Sequence, residues 1–362
     1  MHDTSVIGPF LRGFCFLVAL AATQQAAARE GDGIRHVPAF DLPLSPYMSP
    51  EAQAAARVEI AEGDPLAHMS NEELARNIQQ IRASVDASIA PRVEALRQRY
   101  GVSLRQEQWG GVPVTLVTPK APVARGLLIE LHGGGFIFGS AGTMGMLEAI
   151  PVAAMTGMRV VAVDYRLGPE HRYPAASEDV AAVYREALKR HRPGELGLFG
   201  CSSGGVLTAE ALAWFQKEKL PLPAAAGVFC AGADARYGGD ARYVVAAVNN
   251  APMPKPDGSL PIMEELYYGQ ADLADPLISP LFSKGVLAKF PPTLFITGTR
   301  AAELSAAAHT HSRLTALGVE ARLHVWDGMG HAFHLNTDLP EAQEALAVIA
   351  RFFKAYVGRP GR

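Results

Sequence analysis

The segment FGCSSGG at residues 199–205 carries two adjacent serines between a short apolar run and an alanine-rich stretch. Only Ser202 has a glycine two residues before it and two residues after it, which gives the spacing Gly-x-Ser-x-Gly. At a sharp turn between a strand and a helix, this spacing exposes the serine hydroxyl, because the small neighbours let the two elements approach each other. The helix that follows would offer free N–H groups to developing negative charge, that of Ser203 among them. The spacing therefore predicts that Ser202 is a nucleophile.

A run of three glycines earlier in the chain could bind the same developing charge. The segment GLLIEL at residues 126–131 is predicted to be a buried strand, and Gly133, Gly134 and Gly135 follow it closely. Because glycine has no side chain, its backbone amides can come close to a ligand. The amides of these glycines, together with that of Ser203, are predicted to form an oxyanion hole.

A histidine late in the chain is the candidate base. His331 ends the segment DGMGH, which follows a predicted strand at residues 321–326. Folds that carry the Gly-x-Ser-x-Gly turn place the serine, the acid and the histidine in that order along the chain, and His331 fits the last position. An imidazole there can take the proton of the serine hydroxyl and later return it to a leaving group.

The elements that must position these side chains alternate between strands and helices. Two strands joined at Gly110-Gly111 are predicted first, and apolar runs predict further strands separated by helical segments. The predicted strands are 102–109, 112–118, 126–131, 159–164, 196–199, 226–230, 293–297 and 321–326. Such alternation predicts an α/β fold, with a mostly parallel sheet covered by helices on both faces and a site at the carboxyl ends of the strands.

Two long segments, residues 29–100 and 234–290, lie outside this alternation. We expect residues 101–357 to form the catalytic domain and residues 234–290 to be a loop-rich insertion within it. The two segments together are predicted to form a cap over the carboxyl ends of the strands.

The first of these segments is predicted to become helical only in its second part. Residues 29–65 are rich in proline and alanine and are predicted to be an extended lead-in. A helix is expected to begin after Ser70, with Glu73 as its capping-box partner. A second helix is expected from Pro91 to Tyr100.

Five segments in order along the chain are similar to those of a known family. They are HGGGF (132–136), DYRLGPEHRYPAA (164–176), GCSSGG (200–205), DPLISPLF (275–282) and DGMGHAF (327–333). With them, the chain resembles the hormone-sensitive-lipase-like (family IV) carboxylesterases of the α/β-hydrolase superfamily. The resemblance implies an eight-stranded sheet with a cap, hydrolysis of short- to medium-chain esters through an acyl-enzyme, and no cofactor. It also implies that Ser202 is the nucleophile, that His331 is the base, and that the glycine loop and Ser203 form the oxyanion hole.

The third member of a catalytic triad is absent from the position where the resembled family has an aspartate. That position follows the predicted strand at residues 293–297 and is Ala301 here. Glu303 could reach the histidine with its longer side chain, or Asp234 could serve from the end of a neighbouring strand. Alternatively no carboxylate serves, and the chain is a catalytically weak or silent ligand-binding protein on the same fold. Amide hydrolysis is a further alternative, although amides are poorer substrates for a weak triad.

The composition argues against several other classes of protein. The chain has 362 residues, a formal net charge of −3 and no basic run, so nucleic acid is not expected as a partner. A small-molecule ester is the partner that we expect. The cysteines are Cys15, Cys201 and Cys230, and no spacing of Cys and His is typical of a metal site, so no metal is predicted. Cys201 and Cys230 are expected to be two buried thiols, with a disulfide as the alternative.

The N-terminus has the pattern of a secretory signal. Arg12 precedes the uncharged segment GFCFLVALAA at residues 13–22, and Ala26 to Ala28 fit an A-x-A cleavage site. The apolar run is too short to span a bilayer comfortably. Residues 1–28 are therefore predicted to be a signal peptide cleaved near Ala28, which leaves an exported protein, periplasmic or secreted, with no stable membrane span. An uncleaved anchor is the alternative.

Overall fold

The structure is a computed structural model that describes residues 37, 39–62, 69–121, 125–236, 238–249 and 265–358. The chain divides into two units, residues 1–43 and residues 44–362. The few described residues of the first unit belong to no helix or strand, and the predicted signal peptide at 1–28 lies outside the described residues. Within the described ranges, no helix is both long enough and apolar enough to cross a membrane.

An eight-stranded sheet forms the centre of the second unit. Its strands are β1 (Ser103–Trp109), β2 (Val112–Thr118), β3 (Leu127–Leu131), β4 (Arg159–Val163), β5 (Leu196–Cys201), β6 (Ala225–Phe229), β7 (Thr293–Gly298) and β8 (Ala321–Trp326). They lie in the order β1-β2-β4-β3-β5-β6-β7-β8. Strand β2 is antiparallel to β1 and β4, and all the other pairings are parallel. The predicted α/β fold with a mostly parallel eight-stranded sheet is therefore confirmed.

The helices flank this sheet or lie beyond it. They are α1 (Pro50–Glu62), α2 (Asn71–Tyr100), α3 (Met146–Thr156), α4 (Ala175–Leu188), α5 (Ser203–Lys217), α6 (Asp240–Val248), α7 (Glu265–Tyr268), α8 (Lys284–Leu287), α9 (Leu304–Ala316) and α10 (Pro340–Tyr356). Short 3₁₀ turns lie at Pro193–Glu195, Pro280–Phe282 and Phe333–Leu335.

The core has two parts because side chains alternate between the two faces of each strand. On β5, Leu198 belongs to the cluster that contains Phe215 of α5, whereas its neighbour Phe199 belongs to the cluster that contains Phe353 of α10. All four side chains are fully buried. Complete burial of each such side chain contributes about 1.5–3 kcal/mol. Both faces of the sheet are thus covered, so the site must lie at the strand ends.

Helix α2 differs from the prediction of two separate helices, because it runs unbroken through Pro91. Ile89 and Val93, on either side of the proline, are both buried and belong to the same core cluster. Packing on both sides of the proline outweighs the loss of one backbone hydrogen bond. At its start the predicted capping box is present, with the amide of Glu73 donating to Ser70 Oγ and that of Ser70 donating to Glu73 Oε2.

Helix α1 replaces part of the extended lead-in that was predicted for residues 29–65, so that prediction was wrong for Pro50–Glu62. The amide of Ala52 donates to Ser49 Oγ at 3.1 Å, so Ser49 caps the helix, and Pro50 is its first residue. A capping serine followed by proline and an alanine-rich run favours a helix by local preference alone. The proline content concealed this start signal.

The predicted insertion at residues 234–290 contains α6, α7 and α8, and residues 250–264 lie outside the described part. Asn71 at the start of α2 donates to Glu265 at the start of α7, with Nδ2 and Oε2 3.0 Å apart. The two segments outside the alternation are therefore in contact. Their assignment as a cap, and the domain boundaries at residues 29–100 and 101–357, stay predictions.

Candidate active site

Ser202 occupies a strained turn between β5 and α5. Its φ and ψ angles are 60° and −127°, a conformation that costs an ordinary residue about 1–3 kcal/mol. The Ser202 amide donates to the carbonyl of Phe229 at 2.9 Å, and its carbonyl accepts from the amide of Val206 at 3.0 Å. A Cβ atom on Gly204 would collide with the carbonyl oxygen of Leu131 on β3. Glycine is therefore needed at position 204 so that the helix can begin this close to the sheet.

The structure brings Ser202, His331 and Glu303 into one hydrogen-bonded line. Ser202 Oγ lies 2.9 Å from His331 Nε2, and His331 Nδ1 lies 2.9 Å from Glu303 Oε2. The carboxylate can only accept, so Nδ1 carries the ring proton in the neutral imidazole and Nε2 is free to accept from the serine hydroxyl. This tautomer is the one in which a histidine can act as a base toward serine.

Glu303 directly precedes helix α9, and its side chain turns inward rather than toward solvent. The residue is only 1% exposed, and Thr297 Oγ1 at the end of β7 donates to its second oxygen, Oε1, at 3.2 Å. Ala301 is also buried, but it has no group that could contact the imidazole. Of the three sequence-based hypotheses for the acid, the geometry favours Glu303.

Asp234 is engaged within its own loop and not with His331. Its Oδ1 accepts from the amide of Arg236 at 3.0 Å and from Arg236 Nε at 2.9 Å, and its Oδ2 accepts from Nη2 at 3.2 Å. These contacts occupy both oxygens with one guanidinium group. Asp234 therefore stabilises the turn that follows β6.

The charges of His331 and Glu303 stabilise each other. Removal of the ring from water lowers the pKa of His331, but the Glu303 carboxylate, through its charge and its hydrogen bond, raises it more, to about 9. Burial raises the pKa of Glu303, but the charge and hydrogen bond of His331 outweigh this effect, and the net pKa is lowered. Glu303 is therefore ionised at neutral pH, ready to stabilise a protonated imidazole.

The glycine loop lies beside the serine. A Cβ atom on Gly133 would lie 3.3 Å from the Cβ of Ser202. Gly134 has a φ of 118°, and a Cβ atom there would collide with the carbonyl oxygen of Phe138. Among the described residues, no group accepts a hydrogen bond from four backbone amides, those of Gly133, Gly134, Gly135 and Ser203. Gly133 thus lies beside Ser202 with its amide free of a protein acceptor, and the assignment of the four amides to an oxyanion hole stays a prediction.

Arg82 of α2 holds this loop from outside, a role that the sequence analysis missed. Its Nε donates to the carbonyl of Ile137 at 2.7 Å, and its Nη2 donates to the carbonyl of Gly168 at 2.7 Å. Both terminal nitrogens also contact the carboxylate of Glu170 at 2.8 Å. The sequence offered one indication of this contact: Glu170 is a charged residue of the segment DYRLGPEH, and a charged group there indicates a cationic partner from another part of the chain.

Comparison with known proteins agrees with this geometry. Residues 128–335, more than half of the chain, match the family described as the alpha/beta hydrolase fold. An acetyl-hydrolase of Streptomyces hygroscopicus is 31% identical over 233 residues, which are 64% of this chain and 76% of that protein. The crystal structure of an esterase E25 aligns with a TM-score of 0.78 at 29% identity and covers 90% of this chain and 100% of the other. An esterase from the bacterial hormone-sensitive lipase family aligns with a TM-score of 0.69 at 28% identity, over 86% of this chain and 99% of the other.

The sheet, the serine turn and these likenesses together define an α/β hydrolase. Within that superfamily, the chain belongs to the hormone-sensitive-lipase-like (family IV) carboxylesterases. The family predicted from the five sequence segments is thereby confirmed.

Proposed function

We propose that the protein is a serine carboxylesterase that hydrolyses short- to medium-chain carboxylic esters through an acyl-enzyme on Ser202. One observation carries this proposal: the two 2.9 Å hydrogen bonds that join Ser202, His331 and Glu303. Membership of a carboxylesterase family supports the same class of substrate.

In the first half of the reaction, Ser202 Oγ attacks the ester carbonyl carbon while His331 Nε2 takes the hydroxyl proton. The Nδ1 proton remains bound to the imidazole and is held by Glu303, which stabilises the imidazolium ion. The amides of the glycine loop and Ser203 bind the negative oxygen of the tetrahedral intermediate. Each such donor contributes about 2.7–4 kcal/mol of transition-state stabilisation. The imidazolium then gives its proton to the leaving alcohol, and the acyl group stays on Ser202.

In the second half, water takes the place of the alcohol. His331 Nε2 removes a proton from the water, the resulting hydroxide attacks the acyl carbon, and the same amides bind the oxyanion again. Return of the proton to Ser202 Oγ releases the carboxylic acid. All the groups required for these steps belong to the three side chains and the amides described above.

The alternative of a catalytically weak or silent binding protein rests on Ala301. The position of Glu303 supports the enzyme instead, because a carboxylate is in contact with Nδ1 of the histidine. Incubation with p-nitrophenyl acetate and butyrate, and with a fluorophosphonate probe, tests the two. We expect turnover and labelling of Ser202, and neither in a Ser202→Ala variant. Wild-type protein that is folded but neither turns over nor labels would support the binding protein.

The preference for short acyl groups is supported by the name of the Streptomyces relative, an acetyl-hydrolase. A series of p-nitrophenyl esters from acetate to palmitate tests it. We expect kcat/KM to be highest for short and medium chains and to fall for the longest. A maximum at palmitate would contradict the proposed substrate class.

Export of the protein is proposed from residues 1–28 alone. Expression of the full chain in a Gram-negative host, followed by fractionation and N-terminal sequencing, tests it. We expect a periplasmic or secreted form that begins just after Ala28. A cytoplasmic form with an intact N-terminus would contradict the proposal.

A further inference from the structure

Next to the serine turn, four buried side chains from different elements meet. Cys201 ends β5, Cys230 follows β6, His334 lies in the 3₁₀ turn Phe333–Leu335, and Glu148 lies on α3. Each is at most 3% exposed. The two sulfur atoms and a ring nitrogen of His334 all lie within 4.8 Å of one another. We call Cys201, Cys230 and His334 the sulfur–imidazole cluster.

Glu148 determines which nitrogen of His334 faces the sulfurs. Glu148 Oε1 lies 2.7 Å from His334 Nε2, and Cys230 Sγ lies 3.6 Å from His334 Nδ1. A carboxylate accepts the Nε2 proton, so Nδ1 of the neutral ring keeps its lone pair on the side of Cys230 Sγ, and Cys201 Sγ lies within 4.8 Å. Histidines that bind metals almost always donate the opposite ring N–H to a carboxylate, a backbone carbonyl or water, and the Glu148 contact fits this pattern.

We propose that Cys201, Cys230 and His334 bind one soft d¹⁰ cation, Zn²⁺ or Cu⁺. A tetrahedral Zn²⁺ ion has bonds of about 2.3 Å to sulfur and about 2.0–2.1 Å to nitrogen. With these bond lengths and a tetrahedral angle, the sulfur and nitrogen atoms lie about 3.5 Å apart. The Sγ–Nδ1 distance of 3.6 Å therefore needs little adjustment. Two thiolates and an imidazole favour these ions over Mg²⁺ or Ca²⁺, which prefer oxygen ligands. Binding releases the two thiol protons to solvent.

The cluster is attached to both reacting side chains through the backbone. Cys201 directly precedes Ser202, and His334 lies on the same loop as His331. Cys230 follows Phe229, whose carbonyl accepts the Ser202 amide proton at 2.9 Å. An ion in the cluster would therefore connect the serine turn to the histidine loop and stabilise their alignment. If the ion binds only the folded chain, a free ion concentration of about 100 times its Kd raises the ratio of folded to unfolded chains about 100-fold.

The test uses the full chain with Cys15→Ser, which leaves Cys201 and Cys230 as the only cysteines. The reduced, chelator-treated protein is titrated with Co²⁺, and the near-ultraviolet charge-transfer band of a Co²⁺–thiolate bond is recorded. Separate titrations with Zn²⁺ and Cu⁺ against a chromophoric chelator give stoichiometry and affinity, and Mg²⁺ serves as the control ion. We expect one ion per chain, a raised Tm with Zn²⁺ or Cu⁺, and no effect of Mg²⁺.

Variants locate the ion in the cluster. Cys230→Ser is expected to abolish the Co²⁺ band, and Glu148→Gln to weaken the affinity about 10–100-fold. His309→Asn removes an exposed histidine of α9 and should leave the affinity unchanged. Ser202→Ala should keep the affinity and lose esterase activity, which separates ion binding from the proposed reaction.

Three results would overturn the proposal. They are a folded, reduced wild-type chain that gives no thiolate band, a band that survives in Cys230→Ser, and a Cys201–Cys230 disulfide that resists reduction in the purified protein. If Cys230→Ser does not fold, the Glu148→Gln comparison decides, because that variant keeps both thiols. An affinity equal to wild type would then exclude the cluster.

Discussion

The carboxylate of Glu303 lies 2.9 Å from Nδ1 of His331, although the resemblance to the family predicts the acid at the position of Ala301. The proposed acid therefore lies two residues later in the chain than predicted, and its carboxylate contacts the imidazole. Glu303 is buried directly before α9, and its side chain is one methylene longer than that of aspartate. It therefore reaches His331, which in turn contacts Ser202 Oγ.

The pH dependence of kcat/KM should follow the charge of His331. The base must be neutral, and although burial lowers the pKa of His331, the charge and hydrogen bond of Glu303 are the main causes that raise it from 6.5 to about 9. Because a raised pKa keeps the imidazole protonated to higher pH, we expect kcat/KM to rise with pH through the range from 6.5 to about 9. In Glu303→Gln the acidic limb should move to lower pH, since the charge that raised the pKa is gone. An unchanged limb in that variant would contradict the assignment.

The activity attributed to the glycine loop at residues 133–135 should depend on glycine at position 134. A Cβ atom there would collide with the Phe138 carbonyl, and the φ of 118° would be strained. Gly134→Ala should therefore displace the loop amides and lower kcat about 10²–10³-fold, the loss typical of one oxyanion donor. Gly194→Ala is the matched control, because a Cβ atom there meets nothing within 4 Å. Equal activity of the two variants would argue against the oxyanion assignment.

Arg82 should affect both stability and activity because it connects α2 to the loop at Ile137. Arg82→Leu removes charge-assisted hydrogen bonds to two carbonyls, each worth about 1.5–3 kcal/mol, and a partly exposed ion pair with Glu170 that contributes less, about 0–1 kcal/mol. We expect a lower free energy of unfolding in urea and a lower kcat/KM. Arg97→Leu, on the same helix, removes an exposed pair with Glu94 and should change both by much less. Similar effects of the two substitutions would show that Arg82 has no special role.

The stability of the fold should be sensitive to a cavity in the core that packs against β5, the strand before Ser202. Phe353 of α10 is fully buried, and its ring centroid lies 5.4 Å from that of Phe199 on β5. Phe353→Ala should lower the free energy of unfolding by about 3–5 kcal/mol. Tyr47→Ala, at a side chain that is 84% exposed, should change it by about 0.5 kcal/mol or less. Urea denaturation measures both, and a loss below about 1 kcal/mol for Phe353→Ala would contradict the packing described.

The serine turn between β5 and α5 could be predicted from sequence because its requirements are local. The spacing of glycines around Ser202, a strand before it and a helix after it all lie within about twenty residues. The same holds for the capping box of Ser70 and Glu73. The signal for the start of α1, a capping Ser49 followed by Pro50, was equally local, but the high proline content of residues 29–65 favoured an extended segment instead. The continuity of α2 through Pro91 depends on packing of distant residues, which the sequence does not display.

The acid and the sulfur–imidazole cluster depend on relations between distant segments. Whether Glu303 or Asp234 faces the imidazole is decided by how the turns after β6 and β7 leave the sheet. Cys201 and Cys230 meet because β5 and β6 are neighbours in register, with Cys201 opposite Phe229. His334 lies in the loop after β8 and reaches Cys230 and Glu148, which are 104 and 186 residues away in the chain. No fixed spacing of residue types encodes such contacts.

The most direct test is the kcat of Glu303→Gln for p-nitrophenyl butyrate, compared with that of Asp234→Asn. If Glu303 holds His331 in its reactive tautomer, the first substitution should lower kcat by about 10⁴-fold, as loss of this role does in serine proteases. The second should leave kcat close to wild type, because Asp234 is paired with Arg236. A folded Glu303→Gln variant with wild-type kcat, or a larger loss in Asp234→Asn, would contradict the account.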